Sequence, residues 1–408
     1  MVIVGAGIGG GALASVLARN GLAVLLLEKE TEYRDKVRGE WLAPWGVVEV
    51  QRLELYDRLR EAGGHHVTWH RSYEDARDAI ANPLNSIDLS GLIPDVPGPL
   101  CLGHPRMCRI LSETAAESGV RVLRGINRLQ IGPVEGGRRT VGFEHEGVRN
   151  TVAARLVVGA DGRASQVRQQ AGIALHRDPT HHLFAGLLVE GADGWPAERQ
   201  VIGVEGDTHF LVFPQGGGRA RLYVGYALDQ HKRLAGPDAA ARFLQEFRLH
   251  CLPESESLVK ARPAGPCRSY GNEDSWTNSP AAPNVVLIGD AAGHNDPIIG
   301  QGLSITFRDV RLVSEVLLAS DDWSLEAFSG YVEERRERMQ RLRFSAMMTS
   351  ELENEFGPEA EQRRACAREH ALEDPTLRLW AFAALIGPDV LPAEAFGPRV
   401  RERLFAAA

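Results

Sequence analysis

Short, wholly apolar runs alternate with amphipathic stretches along this chain, and their order predicts its elements. Residues 2–4 read as a buried strand that enters a glycine-rich stretch at 5–10. A helix follows over 11–20, with Leu13, Val16 and Leu17 on one face, and it stops at Gly21. A second strand over 22–27 ends at Glu28. Apolar positions at helical spacing (Val47, Val50, Leu53, Leu55, Leu59) predict one helix over 46–62, and Trp41 and Trp45, four apart, read as a packed helix face. Residues 63–100 are mixed and punctuated by Asn82-Pro83, Pro94, Pro97 and Pro99. A helix is expected over 107–118, a strand over 120–123, and a β-rich stretch to 153 turning at Gly136-Gly137.

Long β-runs occupy 182–190, 200–205, 209–213 and 219–228, the last two joined by a hairpin over 214–218. In the last run Arg219, Arg221 and Tyr223 point one way, and Ala220, Leu222, Val224 and Tyr226 the other. A helix over 238–250 and a proline-rich run close this part. Residues 285–288 are again a buried strand, followed by a Gly-Asp turn, a Pro/Gly loop and a helix from Gly302 to 318. A long or kinked helix over 324–355 and a short apolar helix over 376–386 complete the reading.

The 408 residues are 44% hydrophobic and 25% charged, an ordinary globular composition with room for two or three lobes. No apolar run approaches the ~20 residues of a membrane span. A formal charge of −8 argues against a nucleic-acid surface. The five cysteines include no CxxC and read as buried free thiols in a reduced compartment. The opening lacks a basic secretory n-region, so a cytoplasmic location is expected. His66 and His70 would share a helix face, but no HExxH or carboxylate set accompanies His65, His66 and His70, and no metal is expected.

Candidate chemistry sits in three glycine stretches. In the first, Gly5 permits a tight turn, Gly7 lets backbone approach a pyrophosphate, and Gly10 lets the helix pack closely on the strand. Glu28, 18 residues beyond Gly10, stands where an unphosphorylated ribose is gripped, so FAD or NAD suits this site better than NADP. In the second, Asp161 at a strand end reads as a turn-forming Asp-Gly or as a reach toward a cofactor hydroxyl. In the third, the strand–loop–helix over 285–309 gathers backbone N–H groups at one point, an anion cradle. Arg38 lies on a loop that could fold back over a cofactor, or is solvated loop charge. The β-runs after 182 form either a lid over a small-molecule pocket or a sheet that only packs on a neighbour.

Taken together, residues 5–10 with Glu28, Gly159-Ala160-Asp161-Gly162, and Gly289-Asp290 with Pro297 and Gly300-Gln301-Gly302 resemble the flavoprotein monooxygenases related to para-hydroxybenzoate hydroxylase, over about residues 1–345. The resemblance implies an α/β, two-domain fold. Its Rossmann-like FAD-binding domain is discontinuous (1–68, 101–178, 277–322), with an inserted, mostly antiparallel β-sheet substrate domain (69–100, 179–276) and a C-terminal helical region (323–408). It further implies that Glu28 holds the adenosine ribose and Asp290 the ribityl chain. Gly289 then belongs to the Gly-Asp motif with Asp290, the backbone of Gly300, Gly302 and Leu303 lies against the isoalloxazine, Pro297 stands near its reacting edge, and Arg38 and Arg106 reach the diphosphate or ribityl. Asp161 serves FAD and a transient NAD(P)H, which needs no second GxGxxG. The implied reaction consumes molecular oxygen, by way of a flavin hydroperoxide, to hydroxylate or epoxidise a small, largely apolar or aromatic substrate.

Two departures stand out: Gly293 precedes His294 where relatives often read Ala-Ala-His, and Ser304 stands where asparagine is frequent. The Gly-Asp-Ala-Ala-Gly form also occurs in flavin-dependent halogenases and geranylgeranyl-reductase-like enzymes. No lysine lies between Lys36 and Lys232, and Trp41/Trp45 do not match the halogenase Trp-x-Trp-x-Ile-Pro segment, which sets chlorination aside. A reductase of prenyl double bonds remains the enzymatic alternative, and a flavin-binding sensor the non-enzymatic one. No acid or base is assigned: His209, Tyr223 and Tyr226 on the β-runs could face a phenolic substrate but read as packing or surface residues. The charge run 333–338 reads as a solvated, ion-paired helix face, and Met347-Met348 as core filler. With no CxxC in its tail, the chain reads as a short-tailed member.

Overall fold

The computed structural model describes residues 1–74 and 86–406; Asn82-Pro83 lies outside the described residues. Six strands form one sheet in the order Ala281–Ala282, Val285–Leu287, Val157–Gly159, Val2–Val4, Leu25–Glu28 and Arg121–Arg124. All neighbours are parallel except the first pair. The strands are almost wholly apolar because both faces are covered. Ile3, Leu26, Val158 and Val286 pack on the helices Ile8–Arg19, His104–Glu117 and Gly302–Ala319. Val2, Val4, Leu27, Val157, Val285 and Leu287 pack instead beneath a three-stranded antiparallel sheet, Asn127–Glu135, Arg138–His145 and Val148–Ala154. Register aligns the strand ends: Val4 pairs with Gly159, and Gly159 with Leu287. Three glycine stretches spread over nearly 300 residues therefore leave the same sheet edge side by side.

The β-runs after 182 form a second, eight-stranded sheet, antiparallel except where Arg199–Glu205 runs parallel to Trp69–Glu74. The alternation predicted for its strand Arg219–Tyr226 holds, but both faces are buried. Ala220, Leu222, Val224 and Tyr226 join a core with Phe243, Phe247 and Leu258. Tyr223 faces the other way, with Phe184, Phe213, Leu211 and Ile298.

Several elements differ from expectation. The helix expected over 46–62 is two, Pro44–Arg52 and Tyr56–Glu61, because the chain turns at Glu54, whose φ is +53°. Trp41 is not on that helix with Trp45: Pro44 opens the helix and holds Ala43 extended, which leaves Trp41 in the strand Trp41–Leu42. His66 and His70 share no helix face either, since His65–His66 and Trp69–Glu74 are strands. The helix expected over 238–250 ends at Gln245. Ser329–Glu353 is one continuous helix of 25 residues, and Pro358–Glu373 is a helix that the pattern did not reveal. Met348 is buried, whereas Met347 is exposed. Among the described residues no helix is long and apolar enough to cross a membrane.

Candidate functional site

Between the two sheets lies a cavity of about 1010 Å³, at the upper end of small-molecule sites. Gly5, Gly7, Glu28 and Arg38 line it from the first glycine stretch, Asp161 from the second, and Gly289, Asp290, Pro297, Gly300, Gly302 and Leu303 from the third. Gly10 and Arg106 do not. A Cβ on Gly10 would stand 1.8 Å from the Gly5 carbonyl oxygen, so its absence lets helix meet strand. Arg106 is exposed and donates through Nε to the Ala62 carbonyl at 3.3 Å.

Two helices open onto this cavity with no side-chain cap and no acidic residue in the first turn, one after Gly7 and one at Gly302. Their free N–H groups and positive dipole ends suit anionic or electron-rich ligand groups. A Cβ built on Gly7 or on Gly302 meets nothing within 4 Å, so the space above both is open. This is the cradle a dinucleotide needs, and the residues present fit FAD.

The charged groups are arranged around that cradle. The Glu28 carboxylate accepts N–H bonds from Ala6 (2.6 Å) and Glu30 (2.9 Å), which holds it at its strand end. Asp161 accepts from the Ser165 hydroxyl (2.5 Å) and from Gln166 N–H (2.7 Å) and Val167 N–H (3.1 Å), so it caps the short helix Gln166–Gln170 while lining the cavity. Arg163, a residue without a motif of its own, ion-pairs with Asp290 at 3.3 Å. Burial, the largest single influence, pushes the Asp290 carboxyl up, but Arg163, His294 and Arg38 together outweigh it and hold the carboxyl below its ordinary value. Arg38 is drawn below its ordinary value by burial and by Arg163.

The third glycine stretch is held from behind. Gly289 donates its N–H to Asp309 (2.8 Å), and Asp309 ion-pairs with Arg335 (3.0 Å) and Arg338 (2.7 Å). Arg335 also donates to the carbonyls of Gly289 (3.1 Å), Ala292 (3.1 Å) and Gly293 (3.0 Å). The charge run 333–338 is thus not simply a solvated face: Arg335 and Arg338 are buried and brace the loop. On the far side, Gln301 accepts from Trp45 (2.8 Å) and donates to the Ala384 carbonyl (3.0 Å), tying the helix start to the C-terminal helix Leu379–Ile386.

The rest of the cavity is aromatic. Trp41 and Phe213 lie 5.9 Å apart, centroid to centroid, and Phe213 and Tyr223 6.2 Å. Tyr223 donates to Glu40 at 2.8 Å, and Glu40 pairs with Arg221 at 2.6 Å, which pins the loop carrying Arg38 onto the second sheet. Of the three β-run residues weighed for a phenolic substrate, only Tyr223 lines the cavity. Tyr226 is in the opposite core, its hydroxyl on Ser269 (2.9 Å), and His209 is fully buried.

Both departures have structural reasons. Ser304 is buried, and a Cβ on Gly46 would lie 2.3 Å from its hydroxyl, so two helices touch where a longer side chain has no room. Gly293 has φ +107°, and a Cβ there would meet the Ser275 carbonyl oxygen at 2.5 Å. The following His294 bonds Ser275 Oγ through Nδ1 at 2.7 Å, and burial pushes it down to about 4. His181, His182 and Asp296 bring possible metal-ligand atoms within 4.8 Å of one another, a grouping the sequence did not suggest. Their polar atoms are largely engaged already: the two Nδ1 atoms lie 3.0 Å apart, His182 Nε2 takes the Asn272 amide, and Asp296 accepts from Ile298 N–H.

Comparison with known proteins agrees with this geometry. Residues 1–345 match the family described as FAD binding domain, and the chain belongs to that family. Mouse squalene monooxygenase is 25% identical over 327 residues, covering 78% of this chain and 54% of the mouse protein. Arabidopsis thaliana squalene epoxidase 2 is 24% identical, covering 82% and 56%. The chain therefore spans little more than half the length of these two relatives. Menaquinone reductase of Mycolicibacterium smegmatis is 27% identical, covering 78% of this chain and 76% of that protein. Among solved structures, p-nitrophenol 4-monooxygenase of Pseudomonas putida superposes with a TM-score of 0.76 at 19% identity, covering 91% of this chain and 93% of that one. Pseudomonas aeruginosa PqsL bound to 2-aminobenzoylacetate gives 0.73 at 24%, covering 87% and 96%. These two share the fold.

Proposed function

We propose that this chain is an FAD-dependent monooxygenase that uses NAD(P)H and molecular oxygen to hydroxylate or epoxidise a small, largely apolar or aromatic molecule. The observation that carries the reading is one cavity that joins the cradle of three glycine stretches to an aromatic chamber walled by Trp41, Phe213 and Tyr223. In this reading Glu28 takes the adenosine ribose and Arg38 the diphosphate. Asp290 takes the ribityl chain, and the helix start at Gly302 faces the ring. Arg163 joins them by keeping Asp290 ionised as an acceptor, while Arg106 drops out for want of access to the cavity. When bound, FAD supplies two-electron chemistry with oxygen after reduction by NAD(P)H. The chain's own part is to orient both molecules and to exclude water, to which the C-terminal helix tied to Gln301 contributes. A cytoplasmic setting suits five free cysteines.

The test is direct. The purified protein is expected to be yellow, and Asp290→Ala to lower its FAD content; an unchanged content shows that the third stretch is misplaced in this reading. NAD(P)H oxidation coupled to oxygen uptake and to product mass gained by one oxygen atom is the activity expected. One observation favours a second, reductive reading, of which a reductase of isoprenoid double bonds is the form weighed from the sequence: a protein named menaquinone reductase matches over three quarters of its length. A reductase of that form consumes no oxygen during turnover, so an oxygen electrode separates the two. Slow anaerobic reduction of bound flavin by NAD(P)H with every substrate candidate points instead to a sensor.

A further inference from the structure

The end of the cavity remote from the glycine stretches is not apolar throughout. Ser345, Thr349 and Glu353 stand four residues apart on helix Ser329–Glu353 and all line it. The two hydroxyls are spent on backbone: Ser345 donates to the Trp380 carbonyl (2.9 Å) and Thr349 to the Ser345 carbonyl (2.9 Å). Glu353 is different. Its carboxylate lies 3.1 Å from His209 Nε2, and the side chain keeps 34% of its surface open. Arg378 lines the same end, 5.7 Å from the Trp380 ring centroid, and its charge acts on Glu353. Gln200, which also lines the cavity, is already satisfied: it accepts from Trp41 Nε1 (2.7 Å) and donates to His70 Nδ1 (3.3 Å), while His70 Nε2 pairs with Ser72 Oγ (3.0 Å).

One acceptor and one donor, both charged, thus border a chamber whose other walls combine rings and aliphatic side chains with polar groups such as Gln200, Ser345 and Thr349 that are already bonded within the protein. Ionised groups that keep open surface draw water to them when no ligand is bound. A hydrocarbon that displaced this water would leave carboxylate and guanidinium without replacement hydrogen bonds, at a cost in affinity. A group that both donates and accepts replaces the water on both sides.

We propose that Glu353 and Arg378 form a recognition subsite for a neutral hydroxyl on the substrate, which donates to Glu353 and accepts from Arg378. The substrate class is then an amphipathic alcohol or phenol with an apolar body, and pure hydrocarbons are disfavoured. The subsite deepens the oxygenase reading, on whose cavity it rests. Burial opposes the charge on Glu353, but His209 and Arg378 outweigh it and hold the carboxyl below its ordinary value, so it is an acceptor at neutral pH.

Isothermal titration calorimetry of the full chain, supplied with FAD, tests this with two matched pairs: 2-naphthol against naphthalene, and 2-phenylethanol against ethylbenzene. Sites built to bond a hydroxyl discriminate strongly against analogues that lack it, so the wild type is expected to bind each hydroxylated member at least about tenfold more tightly. Glu353→Leu should shrink that gap mainly by strengthening hydrocarbon binding, and Glu353→Gln should keep part of it. Arg378→Met should narrow it independently if Glu353→Leu does not fold. Equal affinities, tighter hydrocarbon binding, no binding of either pair, or an intact gap in both Glu353→Leu and Arg378→Met overturns the subsite. FAD content and NAD(P)H oxidation are read on the same samples. A flavin-free protein that still prefers the alcohols refutes the oxygenase reading and supports the subsite; a flavin-bearing protein without preference refutes the subsite alone.

Discussion

Arg335 and Asp309 meet at 3.0 Å in the interior, 26 residues apart in sequence, and neither is more than 3% exposed. Around that pair the third glycine stretch is assembled, because Asp309 takes the Gly289 N–H while Arg335 takes three carbonyls of the same loop. The pair supports the cavity without lining it.

Arg335→Met is therefore expected to destabilise the fold by about 3–5 kcal/mol, the usual cost of removing one partner from a buried ion pair, and to release FAD. Arg335→Lys should rescue only part of this, since one ammonium cannot serve a carboxylate and three carbonyls in the guanidinium's geometry. Urea unfolding with flavin fluorescence measures both effects. A loss below about 1 kcal/mol, typical of exposed pairs, would refute the clamp.

Gly7 and Gly10 should fail differently when replaced by alanine. At Gly7 a Cβ touches nothing within 4 Å and φ is −72°. Gly7→Ala should leave the thermal midpoint of the FAD-free protein unchanged while lowering FAD affinity. At Gly10 the Cβ would strike the Gly5 carbonyl oxygen at 1.8 Å. Gly10→Ala should lose about 3 kcal/mol or more of stability whether or not FAD is present. Calorimetric scans with and without FAD separate the two, and identical behaviour would contradict the assignment.

Asp296 makes stability depend on pH. Burial pushes its carboxyl from 3.8 up to about 8; Asp274 and Glu273 add to this, and the Ile298 N–H and Arg163 oppose it. His181 and His182 face it at 3.4 and 3.7 Å. Between those two values the folded chain keeps a proton that the unfolded chain has released. Its contribution is therefore full below the lower value and is lost as pH rises toward the upper one, at up to about 1.4 kcal/mol per pH unit. Asp296→Asn, which can still accept from Ile298, should exceed the wild type by a small margin near pH 5 and by a larger one near pH 8. Unfolding curves at the two pH values decide, and parallel pH profiles would show that Asp296 does not titrate this way.

Much of this architecture was legible because its strands are buried on both faces and so read as unbroken apolar runs beside glycines. Val2–Val4, Val157–Gly159 and Val285–Leu287 were visible for that reason, and the adjacency of their loops comes from register. The clamp was not legible. Charges at i,i+4 spacing, such as Glu334 and Arg338, do pair along the helix, which hides that Arg338 and Arg335 also reach Asp309 on another element. Pro358–Glu373 escaped notice because its charges surround it and leave no apolar stripe. Arg163 and Glu353 gave no local signal, since their importance lies in what distant elements bring beside them. Arg106 shows the converse: a motif position facing away from the cavity.

Helix Ser329–Glu353 has a consequence for regiochemistry. Near its middle, Ala346 packs in one cluster with Ile298 of the glycine-stretch loop, and its last residue is Glu353. Seven residues at 1.5 Å each place these marks about 10 Å apart along the axis. The helix is thus a ruler with one end fixed by Arg335. In the proposed reading, a ligand whose hydroxyl is anchored at Glu353 would present to the loop a carbon set by that length, so that distance from the head group rather than intrinsic reactivity would select the atom oxygenated. Moving the anchor by one turn should move the site of oxygenation along the molecule.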